Sequence, residues 1–151
     1  MGLTEVFKNK VLFLDTAPFI YFMENSNPDY TTIIREFFKQ AYNLPFQTAT
    51  STITVTEILV KPYKKGRSDL IEKYKSAIVN SKTIKICNID SDTANKAAEL
   101  RASYNLKTPD ALQVAAALNN SCDYFITNDL NLSRVSEIEV LTMNDLKSKI
   151  L

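Results

Sequence analysis

The sequence predicts an α/β layered fold with a mostly parallel central sheet. Short apolar runs of strand length alternate with longer segments whose apolar residues have helical spacing. The run VLFLD is apolar up to its last residue, which is typical of a strand buried on both faces of a parallel sheet. Only 2 of the 151 residues are glycine, which argues against a turn-rich all-β fold. No linker, repeat or low-complexity tract interrupts the chain, so we expect residues 1–151 to form a single domain.

The first predicted elements are a strand, two helices and a second strand. VLFLD occupies 11–15, and TAPFIYFM (16–23) and PDYTTIIREFFKQAYN (28–43) follow it with helix-like apolar spacing. FQTATST (46–52) is rich in residues that favour strands. The two strands are therefore separated by helices long enough for a parallel crossover.

The middle of the chain predicts two more helices and a third strand. TVTEILVKPYKKGR (54–67) has a helical pattern that Pro62 and Gly66 end or bend. SDLIEKYKSAIVN (68–80) also places its apolar residues at helical spacing. TIKICNI (83–89) then alternates between apolar and polar residues, as a strand does.

The last part of the chain continues the alternation. DSDTANKAAELRASYN (90–105) and LKTPDALQVAAAL (106–118) predict helices, and DYFIT (123–127) predicts a short buried strand. EIEVLTM (137–143) predicts a final strand, and NDLKSKIL (144–151) a short terminal helix.

The composition excludes several classes of active site. The chain has no histidine, so Ser-His-Asp and Cys-His nucleophiles and histidine-based zinc or iron sites are excluded. Cys87 and Cys122 lie far apart beside apolar runs, which indicates buried free thiols rather than a pair of ligands. The net charge of +1 provides no global basic field, so any contact with nucleic acid requires a local patch.

Other features bear on the location of the protein. The N-terminal segment MGLTEVFKNK lacks the apolar core of a signal peptide, and no apolar stretch approaches the length that spans a membrane. Free thiols suit a reducing compartment. We therefore expect a soluble cytoplasmic protein without membrane contact.

Four acidic residues occupy comparable positions around the predicted sheet. Asp15 closes the first strand, Asp129 follows the YFIT strand, and Asp110 opens the helix that leads into that strand. Glu57 is the only acid in the run TITVTEILV, whose other residues are apolar or threonine. Because ligands of open α/β sheets bind beyond the carboxyl ends of the strands, these acids are candidate site residues.

Each acid also has an ordinary structural explanation. Asp110 lies in the first turn of a helix that Thr108 is placed to cap, where the helix dipole favours negative charge by roughly 0.3–1 kcal/mol. Asp15 matches a helix-cap residue, and Asp129 matches a turn residue beside an asparagine. Glu57 within a largely apolar helix requires a partner, a metal or an orientation toward solvent.

Taken together, the four acids point to a metal site. Neighbouring carboxylates without matching bases repel one another unless a cation lies between them. Hard oxygen ligands without histidine or cysteine select Mg²⁺ or Mn²⁺, which leave positions for water and phosphate oxygens. The reaction class that follows is metal-assisted hydrolysis of a phosphoester.

The same segments carry a resemblance to a known family. FLDTAPFIYFM, TVTEIL, KTPDALQVAAAL and YFITNDLNL resemble, in order and spacing, the acidic motifs of PIN-domain ribonucleases, above all those of VapC-type toxins of type II toxin–antitoxin pairs. The likeness runs from about Lys10 to Met143. The ordered set is fairly specific, although no single motif is.

The resemblance implies a three-layer α/β/α fold and an RNA-cleaving site that holds one or two Mg²⁺ or Mn²⁺ ions. The residues that match the family's acidic site are Asp15, Glu57, Asp110 and Asp129. The residues that match its supporting polar positions are Thr16, Thr127 and Asn128. A homodimer and a small antitoxin protein as partner are also implied. Ala17 and Leu132 depart from the residues the family often has, which affects substrate details more than the chemistry.

One local basic patch is a candidate for RNA contact. Its residues surround Tyr63 in KPYKKGR and are Lys61, Lys64, Lys65 and Arg67. The alternative is an ordinary solvated loop after a helix.

Two other functions are alternatives to a ribonuclease. A strand ending in Asp-Thr also suggests a phosphatase of the haloacid dehalogenase kind, but those enzymes need a second aspartate where Ala17 stands. A PIN-like module without catalysis, binding only RNA or protein, remains the principal alternative. Metal-dependent cleavage by the purified protein would separate the two.

Overall fold

The fold is built on one five-stranded sheet in which all neighbouring strands are parallel. The structure is a computed structural model that describes residues 3–43 and 46–150. The strands lie in the order β3-β2-β1-β4-β5. Their bounds are Val11–Leu14 (β1), Gln47–Ser51 (β2), Ile84–Cys87 (β3), Tyr124–Ile126 (β4) and Glu139–Leu141 (β5).

Helices connect the strands and cover both faces of the sheet. Their bounds are Leu3–Val6 (α1), Thr16–Met23 (α2), Pro28–Asn43 (α3), Thr52–Lys64 (α4), Ser68–Tyr74 (α5), Ser91–Tyr104 (α6), Thr108–Asn119 (α7) and Met143–Ile150 (α8). A π-helical turn at Lys75–Val79 continues α5, and a 3₁₀ helix occupies Leu130–Arg134.

The predicted α/β fold with a parallel sheet is confirmed, with shorter elements in several places. The strands predicted over 83–89 and 137–143 keep only their central residues, and the helix predicted over 68–80 changes to a π-helical turn in its second half. The short α1 and the 3₁₀ helix had no counterpart among the predicted elements. Residue 151, the end of the predicted terminal helix, lies outside the described residues.

The alternation of side chains along β1 produces the three layers. Leu12 and Leu14 pack into a core formed with α2, α3, α4, α5 and α8, whereas Phe13 packs into a second core formed with α6 and α7. Successive side chains of a strand point to opposite faces, so a continuous apolar run serves both cores. This is why VLFLD has no polar residue before its last position.

The start of α7 differs from the prediction that Thr108 caps it. Lys107 holds the cap position with extended backbone angles and makes no side-chain cap hydrogen bond, and Thr108 is the first helical residue. Pro109 falls in the first turn, where its missing amide hydrogen costs nothing. Asp110 therefore lies in the first turn, as expected.

The end of α4 follows the proline and glycine signals. Pro62 is buried within the last turn, and the helix ends at Lys64. Gly66 then adopts a φ of 61°, a left-handed conformation that side chains disfavour. The chain turns there into α5.

The stacked rings of Phe13 and Phe125 make a sharp test of the second core. Their centroids are 5.3 Å apart with 10° between the planes, and both residues are fully buried. We expect Phe125→Ala to lower the free energy of unfolding by about 3–5 kcal/mol, measured by urea denaturation. Tyr42→Ala, at a ring that is 75% exposed, serves as control and should cost less than about 0.5 kcal/mol. Equal losses in both variants would contradict the assignment of the core.

None of the helices in the described part of the chain is both long enough and apolar enough to cross a membrane.

Candidate active site

The candidate site lies where the order of the strands reverses. The chain builds β1, β2 and β3 toward one edge and then returns to place β4 on the other side of β1. The crevice beyond the carboxyl ends of β1 and β4 is the usual ligand position in such sheets. Asp15 follows β1 and Thr127 follows β4, and the Asp15 amide donates to the carbonyl of Ile126 at 2.9 Å.

Asp15 is held from three sides. Its Oδ1 accepts hydrogen bonds from the Thr16 amide at 2.8 Å and from Gln113 Nε2 at 3.3 Å. Its Oδ2 accepts from Thr127 Oγ1 at 2.9 Å. Asp15 is thus the N-cap of α2, as its ordinary structural explanation supposes, and it also faces the crevice together with residues of β4 and α7.

Glu57 joins the site through a threonine. The hydroxyl of Thr16 donates to Glu57 Oε1 at 3.1 Å and lies 3.2 Å from the hydroxyl of Thr54. Glu57 is exposed at the rim of the site. The sequence predicts that Glu57 needs a partner, a metal or contact with solvent. In the structure Glu57 has a partner, the Thr16 hydroxyl, and it also contacts solvent.

The turn after β4 carries the fourth acid. The amide of Asp129 donates to Thr127 Oγ1 at 3.1 Å, so Thr127 links this turn to Asp15. The Asp129 side chain caps the 3₁₀ helix by accepting from the amide of Asn131 at 3.0 Å. Asn128 Nδ2 donates to the hydroxyl of Tyr21 at 3.1 Å, which ties the same turn to α2.

Sequence reasoning missed a buried polar residue at the centre of these contacts. Gln113 of α7 is only 1% exposed and contacts Asp15, Thr16, Thr54 and Ser51. The sequence offers a signal that could identify this residue, because Gln113 is the only polar residue in ALQVAAAL, the segment that follows Asp110. A buried polar side chain in such a helix needs hydrogen-bond partners.

Electrostatics couple the four acids. The pKa of Asp15 is raised mainly by burial, against the lowering effect of its hydrogen bonds, and the charge of Asp129 raises it further. Burial raises the pKa of Glu57, helped by the charge of Asp15. Burial also raises the pKa of Asp110, and the charges of Asp15, Asp129 and Glu57 add to that rise. Asp110 is therefore close enough to the other three acids to be repelled by each of them.

Few cations balance this negative charge. None of the ion pairs among residues 3–43 and 46–150 involves one of the four acids. Lys107 is near enough to lower the pKa of Asp110, but it acts against three carboxylates. A surplus of carboxylates in a partly buried crevice is stabilised by an added cation.

The oxygen atoms of the four acids are the type of ligand that a divalent cation binds. All are hard oxygen ligands, the class that Mg²⁺ and Mn²⁺ prefer. Within the described ranges, however, no three Asp, Glu, His or Cys side chains are gathered closely enough to hold one ion. An ion that keeps several waters needs only one or two of the carboxylates as direct ligands, and Mg²⁺ usually binds in that way.

Ion pairs involve part of the basic patch at the end of α4. Lys61 pairs with Glu24 at 3.5 Å, and Arg67 forms a two-bonded pair with Asp69 at 2.8 and 2.9 Å. Lys64 and Lys65 are exposed and form no ion pair with residues 3–43 or 46–150. Lys61 and Lys64 follow Glu57 by four and seven residues on α4. They therefore lie on the same face of the helix as Glu57, about one and two turns further from the site.

A family model decides the relationship of the chain to known proteins. The model described as PIN domain matches residues 12–138, which include all four acids. The chain belongs to the PIN domain family. The resemblance inferred from the ordered acidic motifs is thereby confirmed at the level of the family. None of the curated proteins matches the sequence significantly.

Solved structures of PIN-domain toxin systems share the fold. A toxin–antitoxin complex from Klebsiella pneumoniae is 25% identical, with a TM-score of 0.64 over 87% of this chain and 97% of that chain. VapBC2 from Rickettsia felis, bound to a DNA fragment from its promoter, is 15% identical, with a TM-score of 0.67 over 87% and 98%. VapC20 from Mycobacterium tuberculosis, a toxin that cleaves the sarcin–ricin loop, is 14% identical, with a TM-score of 0.67 over 85% and 98%. The predicted three-layer PIN-like fold is therefore confirmed.

Proposed function

We propose that this protein is a divalent-metal-dependent endoribonuclease and the toxin of a toxin–antitoxin pair. The observation that carries the proposal is the crevice at the ends of β1 and β4, where Asp15, Glu57, Asp110 and Asp129 couple electrostatically with little balancing positive charge. Membership of the PIN domain family and the likeness to toxin structures support it.

The four acids divide into those that the fold holds firmly and those at the rim. Asp15 is held by three hydrogen bonds and would be the fixed ligand of an Mg²⁺ or Mn²⁺ ion. Glu57, Asp110 and Asp129 would complete the site directly or through bound water. A divalent ion in this place supplies positive charge at the phosphate and a water that is easier to deprotonate.

The chain's own residues position these groups. Thr16 orients Glu57, and Thr127 orients both Asp15 and the backbone of the Asp129 turn. Asn128 holds that turn against Tyr21. These three residues are the supporting positions that the sequence predicts, and we propose that they keep the carboxylates oriented toward an RNA phosphodiester.

The proposed partners are an RNA substrate, a small antitoxin protein and a second copy of the chain. The antitoxin is favoured by the toxin–antitoxin complexes among the structures with this fold. The free thiols of Cys87 and Cys122 suit the cytoplasm, where such a toxin would meet RNA.

A direct test is cleavage of a mixed RNA pool by the purified protein with Mn²⁺, with Mg²⁺ or with chelator. We expect cleavage with either ion, none in chelator, and none by Asp110→Asn. Asp92→Asn is a control, because Asp92 also lies in the first turn of a helix, α6, but is exposed, whereas Asp110 in α7 is half-buried. Absence of cleavage under every condition would favour the alternative of a PIN-like module that only binds RNA or protein.

Lys64 and Lys65, at the end of α4, lead to a separate prediction about RNA binding. The double variant Lys64→Gln, Lys65→Gln should weaken RNA binding whatever the RNA sequence. The plot of the logarithm of the binding constant against the logarithm of the salt concentration should become less steep by about 1.4, because each phosphate contact to a single strand contributes about 0.7 to that slope. Fluorescence anisotropy at several salt concentrations measures both quantities. The control, Lys8→Gln with Lys82→Gln, removes the same charge before β1 and β3, at the other end of the sheet. An unchanged slope in the first variant would refute the role of Lys64 and Lys65.

A further inference from the structure

Gln113 occupies an unusual place for a polar side chain. It lies in the middle of α7, fully enclosed, and its neighbours Val114, Ala115, Ala116 and Ala117 are all buried apolar residues of the second core. It follows Asp110 by three residues, so both side chains lie on the same side of the helix. Gln113 therefore belongs to the face of α7 that meets the candidate site.

The hydrogen bonds around Gln113 allow only one orientation of its amide. Ser51 Oγ donates to Gln113 Oε1, and Gln113 Nε2 donates to Thr54 Oγ1 at 2.7 Å. The second hydrogen of Nε2 points toward Asp15 Oδ1 at 3.3 Å and Thr16 Oγ1 at 3.4 Å. Reversing the amide would place its oxygen against the Asp15 carboxylate, where both groups are acceptors.

Thr54 and Thr50 continue these contacts. Thr54 Oγ1 accepts from Gln113 Nε2. The Thr50 hydroxyl has two acceptors at 2.8 Å, Thr54 Oγ1 and the carbonyl oxygen of Leu14. This series of bonds joins α7, which carries Asp110, to α4, which carries Glu57, and to the end of β1, which Asp15 follows.

We propose that Gln113 is a positioning residue that holds the Asp15 carboxylate at a set distance from α4 and α7, so that the site binds its divalent ion. The proposal rests on the proposed function. It extends that function by assigning the geometry of the site to a residue that is neither one of the four acids nor one of their three predicted supporting residues. A merely structural role for Gln113 would affect the stability of the protein and leave the affinity for the ion unchanged.

The test compares variants by calorimetric titration with Mn²⁺ alone and by cleavage of RNA at varied Mn²⁺. Gln113→Met keeps the length of the side chain and removes every hydrogen bond. We expect it to raise both the Kd for Mn²⁺ and the Mn²⁺ concentration for half-maximal cleavage about 10–100-fold, the usual effect of losing a partner of a metal ligand. The KM for RNA at saturating Mn²⁺ should stay within about twofold, because Gln113 is buried and presents no surface that an RNA could contact.

Two further comparisons separate positioning from stability. Thr48→Val removes a buried hydroxyl that donates to the carbonyl of Thr83 at 2.6 Å, remote from the acids, and should leave Mn²⁺ binding unchanged. Thr54→Val removes the hydroxyl that accepts from Gln113 and should weaken Mn²⁺ binding, whereas Thr54→Ser keeps the hydroxyl and should bind as the parent does. The Thr54 pair decides the question if Gln113→Met does not fold.

The outcomes distinguish this proposal from the function on which it rests. If Gln113→Met, or Thr54→Val in its place, binds Mn²⁺ as the parent does, the positioning role is overturned and the ribonuclease proposal stands. If the parent itself binds no Mn²⁺, both are overturned. If the parent binds Mn²⁺ but cleaves no RNA, the ribonuclease proposal fails and the calorimetric comparison still decides the role of Gln113.

Discussion

Asp15→Asn is expected to lower the rate of RNA cleavage by about 10²–10³-fold while the protein remains folded. The proposed ion contributes several kcal/mol of charge stabilisation in the transition state, and each 1.36 kcal/mol corresponds to a factor of ten in rate. Asp15 is the acid that the fold holds most firmly, through Thr16, Gln113 and Thr127. Single-turnover cleavage at fixed Mn²⁺, with circular dichroism to check folding, measures the effect.

The chain offers a matched control for this substitution. Asp123 lies at the other end of β1, where its Oδ2 accepts a hydrogen bond from the amide of Val11 at 2.8 Å. Asp123→Asn therefore removes a carboxylate of similar local chemistry far from the candidate site, and cleavage should stay within about twofold. A folded Asp15→Asn protein that cleaves as fast as Asp123→Asn would remove Asp15 from the catalytic site.

Asp110→Asn is expected to have opposite effects on stability with and without metal. In chelator at pH 7, the melting temperature should be unchanged or higher by a few degrees, because the substitution relieves repulsion from Asp15, Asp129 and Glu57. Mn²⁺ at about 100 times its Kd should stabilise the parent by about 2.7 kcal/mol, or roughly 5–10 °C for a chain of this size. The shift in the variant should be clearly smaller. Equal shifts in differential scanning fluorimetry would contradict a metal role for Asp110.

The effect of Asp110→Asn in chelator should also depend on pH. The pKa of Asp110 in the folded protein lies above its ordinary value of 3.8, so the folded state binds the proton more tightly than the unfolded state. That contribution to stability is fully present below about pH 3.8 and is lost as the pH rises through the folded pKa. The gain from Asp110→Asn should therefore shrink as the pH falls from 7 toward 4. A gain that is independent of pH would show that relief of the charge is not its cause.

The predictions that held are those that depend on local pattern. The continuous apolar run before Asp15 and the helical spacing after it set β1 and α2 in nearly their observed bounds. Asp15, Asp110 and Asp129 are predictable because each follows a strand or begins a helix, and parallel strands bring such positions to one edge. Glu57 is predictable because it is the only acid in a helical run that is otherwise apolar or threonine. Their proposed role as metal ligands stays a prediction, which the variants above are designed to test.

Differences from the sequence prediction arise where neighbouring groups compete. Thr108 has the chemistry of a helix cap, yet the chain enters α7 one residue earlier, and Lys107 takes that position. The role of the basic patch stays a prediction, and Glu24 and Asp69 pair with two of its four cations. Sequence spacing does not reveal such partners when, as with Glu24 and Lys61, they are 37 residues apart.

By itself, the sequence determined the class of fold, the order of its elements, the absence of histidine chemistry and the identity of the four candidate acids. The periodicity of apolar residues and the side-chain types of single positions are local properties, so they can be read without coordinates. Only the tertiary structure decided that the strands lie in the order β3-β2-β1-β4-β5, that three of the acids have raised pKa values, and that Gln113 bonds to Asp15 from a position 98 residues away. Those properties arise from burial and from contacts between distant segments, which exist only once the sheet has brought the segments together.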